Sequence, residues 1–164
     1  MPGRQGDLLP GFSGGYMLSR KVVTRHGHRV RGYFPSLKTG RMVAWESQLE
    51  RDAILLFEFS PGVRTFREQP VQIQFQDGDT PRRYFPDFEI TCFDEEIIFL
   101  EVKPESELQR PEIAQKLGAI SAHFSAEGIR YRILTENVIR REPLAGNLKL
   151  LRRYHRCDEA ITSV

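Results

Sequence analysis

Ile97-Ile98-Phe99-Leu100-Glu101-Val102-Lys103 is the stretch on which the reading of this chain turns. Its first four residues are apolar, as in a strand buried on both faces. It then ends in two opposite charges, Glu101 and Lys103, and Pro104 stops it. Side chains two apart on a strand share a face, so the carboxylate and the amine point the same way. Ending a core strand with charges is unfavourable unless they pair or bind something. Phe93-Asp94-Glu95-Glu96 turns the chain just before it, and the preceding strand is read as Tyr84 to Cys92. That strand contains Pro86-Asp87. Positions counted back from a hairpin turn face one another, so Asp87 is expected close to Glu101.

Two carboxylates and a lysine at one sheet end make a specific tool. Asp87 and Glu101 offer hard oxygen ligands for Mg²⁺ or Mn²⁺. Such an ion grips a phosphate oxygen and acidifies a bound water. Lys103 orients that water or stabilises charge on the phosphoryl group. A third carboxylate on a neighbouring helix completes the set. Glu50 is the candidate, with Glu46, one turn earlier, as its rival. The bland alternative is a surface salt bridge of Lys103 with Glu101 or Asp87, worth about 0–1 kcal/mol. The buried-type strand, the Pro-Asp and the upstream helical Glu together favour metal-dependent hydrolysis of a DNA phosphodiester.

Outward from this stretch, a helix is predicted from Ser47 to Phe59, with Leu49, Ala53, Leu56 and Phe57 on one face. Ser47 and Glu50 fit a capping box, and Ser60-Pro61-Gly62 stops the helix. Val63–Arg67 is a candidate strand. Val71, Ile73 and Phe75 alternate with Gln72, Gln74 and Gln76, a half-buried strand. A helix from Pro111 to Phe124 crosses over to a strand at Tyr131–Thr135, expected parallel to the central ones. A last helix, Leu144 to Tyr154, is expected to turn Leu144, Leu148 and Leu151 inward. The order gives an α/β fold with one mixed sheet flanked by helices.

The pattern Leu49-Glu50, Phe66-Arg67-Glu68-Gln69-Pro70, Phe85-Pro86-Asp87-Phe88 and Glu101-Val102-Lys103-Pro104 resembles the N-terminal nuclease domain of TnsA. TnsA is the endonuclease subunit of heteromeric transposases. Lys38-Thr39-Gly40-Arg41 matches as well. The resemblance runs from Lys38 to Pro104 and more loosely to Tyr154. It implies a restriction-endonuclease-like fold of the PD-(D/E)xK type. It makes Glu50, Asp87 and Glu101 the metal-binding acids, Lys103 the catalytic lysine and the Val102 backbone carbonyl a further ligand. It also implies cleavage of the 5′ ends of a transposon in double-stranded DNA. The implied partners are a DDE-type recombinase subunit, which acts on the 3′ ends, and an ATPase regulator. Relatives carry a second, C-terminal domain that contacts the regulator, and this chain ends near where it would begin. Two rivals stay open: a stand-alone restriction, repair or phage nuclease of the same fold, and a non-catalytic adaptor that binds DNA or protein.

The totals fit this reading without announcing it. The 164 residues suit a single globular unit, divided here into an N-terminal arm (1–35) and a nuclease domain (36–164). The formal net charge is only +2. Its distribution says more, because Leu8 to Trp45 holds no Asp or Glu. Arg25, Arg29, Arg31, Lys38 and Arg41 in that stretch are candidate DNA contacts, against the alternative of a solvated tail. Arg140-Arg141 and Arg152-Arg153 with Tyr154 and Arg156 form a second basic cluster with the same two readings. Two cysteines are too few for a disulfide framework, which favours a reducing, cytoplasmic setting. No apolar run is long enough to span a membrane, and the Gly-rich start lacks a signal-peptide core. His26-Gly27-His28 has no neighbouring ligand and is a weak metal candidate. Trp45 is expected to pack at the helix start. Glu89 is read as solvent-facing or behind the site, and Glu68 and Gln69 as edge residues or site supports.

Overall fold

The computed structural model describes residues 17–18 and 32–161, with side chains placed for 32–152. Fourteen elements follow in order. They are β1 (Met17–Leu18), β2 (Gly32–Ser36), β3 (Arg41–Trp45), α1 (Gln48–Phe59), β4 (Val63–Glu68), β5 (Val71–Asp77), β6 (Thr80–Tyr84), β7 (Phe88–Cys92), β8 (Ile97–Val102), α2 (Glu105–Leu108), α3 (Pro111–Ala126), β9 (Arg130–Leu134), α4 (Glu136–Ile139) and α5 (Leu144–Ile161).

The central sheet has the order β4-β7-β8-β9. Its first two pairings are antiparallel, whereas β9 runs parallel to β8 after the crossover through α2 and α3. This is the mixed sheet with flanking helices expected of a restriction-endonuclease-like fold. Strand β8 is buried on both faces, as its apolar run predicts. Ile98, Leu100 and Val102 face a core with α1 and the β2–β3 hairpin. Ile97 and Phe99 face a second core with α3 and the β5–β6 hairpin. Glu101 follows Phe99 by two, so it belongs to that second face.

Several expectations change in detail. The single strand read over Tyr84–Cys92 is two strands. Tyr84 ends β6, which pairs with β5 in a separate sheet of order β1-β5-β6. Pro86, fully buried and without an N–H, breaks the run before β7. Strand β3, not anticipated, pairs with β2. Phe34 of β2 is 3% exposed in the first core, so a boundary at 35/36 falls inside this hairpin. Trp45 packs against that core and lies over Gly32, where an added Cβ would meet the indole at 2.4 Å. In α5, Ala145 and Leu148 are buried, but Leu144 and Leu151 are exposed. Packing against α1 covers a narrower stripe than the leucine spacing suggests. Among the described residues no helix is long and apolar enough to cross a membrane.

Candidate active site

Asp87 sits at the joint between β6 and β7 and is clamped there by its neighbours. Its backbone carbonyl accepts the N–H of Gln69 at 2.9 Å. Gln69 holds a φ of 41°, a conformation non-glycine residues adopt at a cost. That strained turn aims its N–H at Asp87. The Asp87 carboxylate in turn accepts the N–H of Val102 at 2.7 Å. Phe88 pairs with Leu100, so the next position outward sets Asp87 beside Glu101. Burial, then the nearby Glu101 charge, pushes the Asp87 carboxyl well above the usual carboxylate range. The Val102 N–H and Lys103 act against that rise.

Glu101 is 4% exposed and both its oxygens are engaged. Lys103 Nζ lies 2.9 Å from Oε1, and the Tyr84 hydroxyl donates to Oε2. Burial works against the Lys103 ammonium, but Glu101 and Asp87 outweigh it and hold its pKa above the ordinary value.

Glu50 enters from α1. Ser47 Oγ accepts the Glu50 N–H at 3.1 Å, and Glu50 Oε2 accepts the Glu46 N–H at 2.7 Å. The cap therefore closes one residue upstream of the expected reciprocal pair. Burial raises the Glu50 carboxyl, opposed by the Glu46 and Ser47 hydrogen bonds, and it also feels Lys103. Asp87 in turn feels Glu50. The four groups expected from the sequence thus share one electrostatic neighbourhood, with Glu50 its weakest member.

The carboxylates do not close into a tight cage. Among the described residues, the trio whose ligand atoms lie within 4.8 Å of one another is Cys92, Asp94 and Glu96. It sits at the β7–β8 turn, the opposite end of the hairpin from Asp87. What fits a divalent ion at Asp87 is the donor set and its charge. Three carboxylates face one ammonium, and burial opposes the Asp87 charge. A divalent cation would supply the charge this cluster lacks. The Val102 carbonyl belongs to the residue whose N–H already orients Asp87.

Two of the expected DNA contacts have intramolecular partners in this fold. Lys38 Nζ donates to the carbonyls of Phe57 and Ser60 at 2.8 and 2.7 Å, capping the C-terminus of α1. Burial lowers its pKa, with Glu58 opposing. Arg41 pairs with Glu68 at 2.7 Å and ties β3 to β4. Both are held by intramolecular partners. Arg25, Arg29 and Arg31 lie outside the described residues, as do His26 and His28. In the second basic cluster, Arg140 pairs with buried Asp52 at 2.9 Å and Arg152 lies 5.0 Å over the Phe34 ring.

Other residues near the site have partners that the sequence did not show. Glu89 is 6% exposed and forms a two-point pair with Arg67 at 3.0 and 2.8 Å, so it is not solvent-facing. Arg67 stands opposite Glu89 in the β4–β7 register, and counting across that register would have found the pair. Tyr84 and Tyr131, 3.0 Å apart at their hydroxyls, carried no local signal. They meet through the packing of separate sheets.

Comparison with known families adds an independent observation. Residues 60–136 match the family model described as TnsA-like endonuclease N terminal. The matched span includes Asp87, Glu101 and Lys103 and begins after α1, so Glu50 lies outside it. No curated protein matches the chain.

Proposed function

We propose that the chain is a Mg²⁺- or Mn²⁺-dependent endonuclease acting on double-stranded DNA, a reading supported by the match of residues 60–136 to the TnsA-like endonuclease N-terminal model. Its place is at the 5′ ends of a transposon during cut-and-paste transposition. A DDE-type recombinase subunit is the expected partner, with an ATPase regulator as a further one. The observation that carries the reading is the convergence of Asp87, Glu101 and Lys103 at the rim where β7 begins and β8 ends, with Glu50 in electrostatic reach.

Asp87, Glu101 and Glu50 are the residues that would hold the ion. When bound, a divalent ion supplies Lewis acidity toward a phosphate oxygen and a more acidic water. Lys103 would orient the attacking water or hold charge developing on the phosphoryl oxygens. The Val102 N–H fixes the Asp87 carboxylate before substrate arrives, which spares reorganisation during the reaction. A non-catalytic adaptor gains nothing from such a group, since a half-buried carboxylate with a raised pKa disfavours folding.

Calorimetric titration with Mn²⁺ tests the proposal. The wild-type chain is expected to bind Mn²⁺, and Asp87→Ala to bind it far more weakly or not at all. A wild-type protein that binds none at millimolar concentration favours the adaptor.

A further inference from the structure

We propose that Tyr84 is a positioning residue for Glu101, with Tyr131 behind it, so that the β5–β6 hairpin sets the orientation of a metal-binding carboxylate on the central sheet. This rests on the metal-dependent reading above and adds to it a residue pair and a route of control.

The geometry is specific. Tyr84 is the last residue of β6, 4% exposed, and comes from a sheet separate from that of Glu101. Its hydroxyl donates to Glu101 Oε2 and lies 3.0 Å from the Tyr131 hydroxyl. A carboxylate only accepts, and a phenol has one proton to give. Tyr84 therefore spends its proton on Glu101, and Tyr131 must donate to Tyr84. The two O–H groups align head to tail and both point toward Glu101. Such aligned hydrogen bonds reinforce one another where water is excluded.

The rings are fixed from several sides. Tyr84 meets Phe75 and Tyr131 edge-on, at centroid distances of 6.4 and 6.3 Å. Tyr131 stacks on Phe124 of α3 at 4.9 Å. The Lys116 ammonium stands 5.9 Å over the Tyr84 ring. Phenylalanine at position 84 would keep the ring packing, so the hydroxyl's contribution is separable from that of the ring. With Oε2 held by Tyr84, Oε1 is fixed on the side of Lys103, whose charge also reaches Asp87. Partners that orient ligating carboxylates commonly matter by about 10–100-fold in metal affinity or activity.

The test is Mn²⁺ calorimetry on the full chain with Y84F, Y131F and the double variant, beside thermal unfolding of each metal-free protein. Y84F is expected to weaken Mn²⁺ binding about tenfold with unchanged stoichiometry. Its cleavage should recover substantially at saturating Mn²⁺, so the defect reads as metal affinity rather than turnover. Y131F is expected to act in the same direction but less, and to add little in the Y84F background, because its effect passes through the Tyr84 hydroxyl. A Y84F protein with wild-type Mn²⁺ affinity overturns the inference and leaves the metal reading standing. So does a Y131F effect that adds fully to that of Y84F, because it breaks the relay. A wild-type chain that binds no Mn²⁺ overturns both.

Discussion

The Asp87 carboxylate accepts the backbone N–H of Val102 at 2.7 Å. A side chain at the joint between two sheets is thereby locked to the strand that carries Glu101 and Lys103. The Gln69 N–H holds the same residue from the β4 side at 2.9 Å. The position of the central acid is thus set by two backbone donors, one from strand β8 and one from the turn after β4, and these do not depend on a bound ion.

Asp87 should destabilise the metal-free protein. Burial and the Glu101 charge raise its carboxyl pKa in the folded state. A carboxyl with a higher pKa folded than unfolded binds more protons in the native state. Its contribution to stability therefore falls as pH rises from the ordinary carboxylate range through the raised value. Asp87→Asn carries no charge, and its amide oxygen still accepts the Val102 N–H. In thermal melts without metal at neutral pH, Asp87→Asn should unfold above wild type, and the gap should close on acidification. With Mn²⁺ the order should reverse, as the wild type gains about 1.4 kcal/mol per tenfold Mn²⁺ above its Kd. A metal-free variant less stable than wild type at neutral pH would contradict this account of the Asp87 charge.

Lys38 is predicted to matter for stability and not for DNA. It caps α1 through the Phe57 and Ser60 carbonyls. Lys38→Met should lower unfolding free energy in urea by about 1–2 kcal/mol. The dependence of DNA affinity on salt should stay at the wild-type slope. A slope reduced by about one unit would instead mark a lost phosphate contact.

The Arg67–Glu89 pair makes a third prediction. Arg67→Met leaves Glu89 buried without its two-point partner. The expected loss in urea unfolding is about 3 kcal/mol, the low end for a broken buried pair, because Arg67 is 39% exposed. Replacing both residues by apolar ones of similar size should recover much of that loss. A single variant within 0.5 kcal/mol of wild type, roughly the scatter of surface substitutions, would show that the pair contributes little.

The β7–β8 hairpin and its charges were legible because the information is local. A tight turn at Phe93–Glu96 fixes the register, and the register alone brings Asp87 to Glu101. Helices α1 and α3 and the parallel strand β9 were legible from periodicity and the crossover rule. The break at Phe85-Pro86 was harder, since Tyr84 through Cys92 reads as one strand and Tyr84 joins β5 only through tertiary pairing. The Tyr131–Tyr84–Glu101 chain was not legible at all, because its members come from three strands in two sheets. The intramolecular partners of Lys38 were hidden for a related reason. Its charge suggested phosphate, while its partners, the Phe57 and Ser60 carbonyls, appear only once α1 is docked. In α5, leucine spacing marked a wider apolar stripe than the one α1 covers, so Ala145 is buried where Leu144 is not.

On the proposed mechanism, Asp87, Glu101 and Lys103 act together to cut DNA. The most direct measurement is nicking of a transposon-end duplex with Mg²⁺ and the recombinase partner present, comparing wild type with Asp87→Ala and Lys103→Ala. Wild type should cleave, and both variants should lose cleavage while unfolding cooperatively like folded proteins. Full cleavage by either folded variant would contradict the claim.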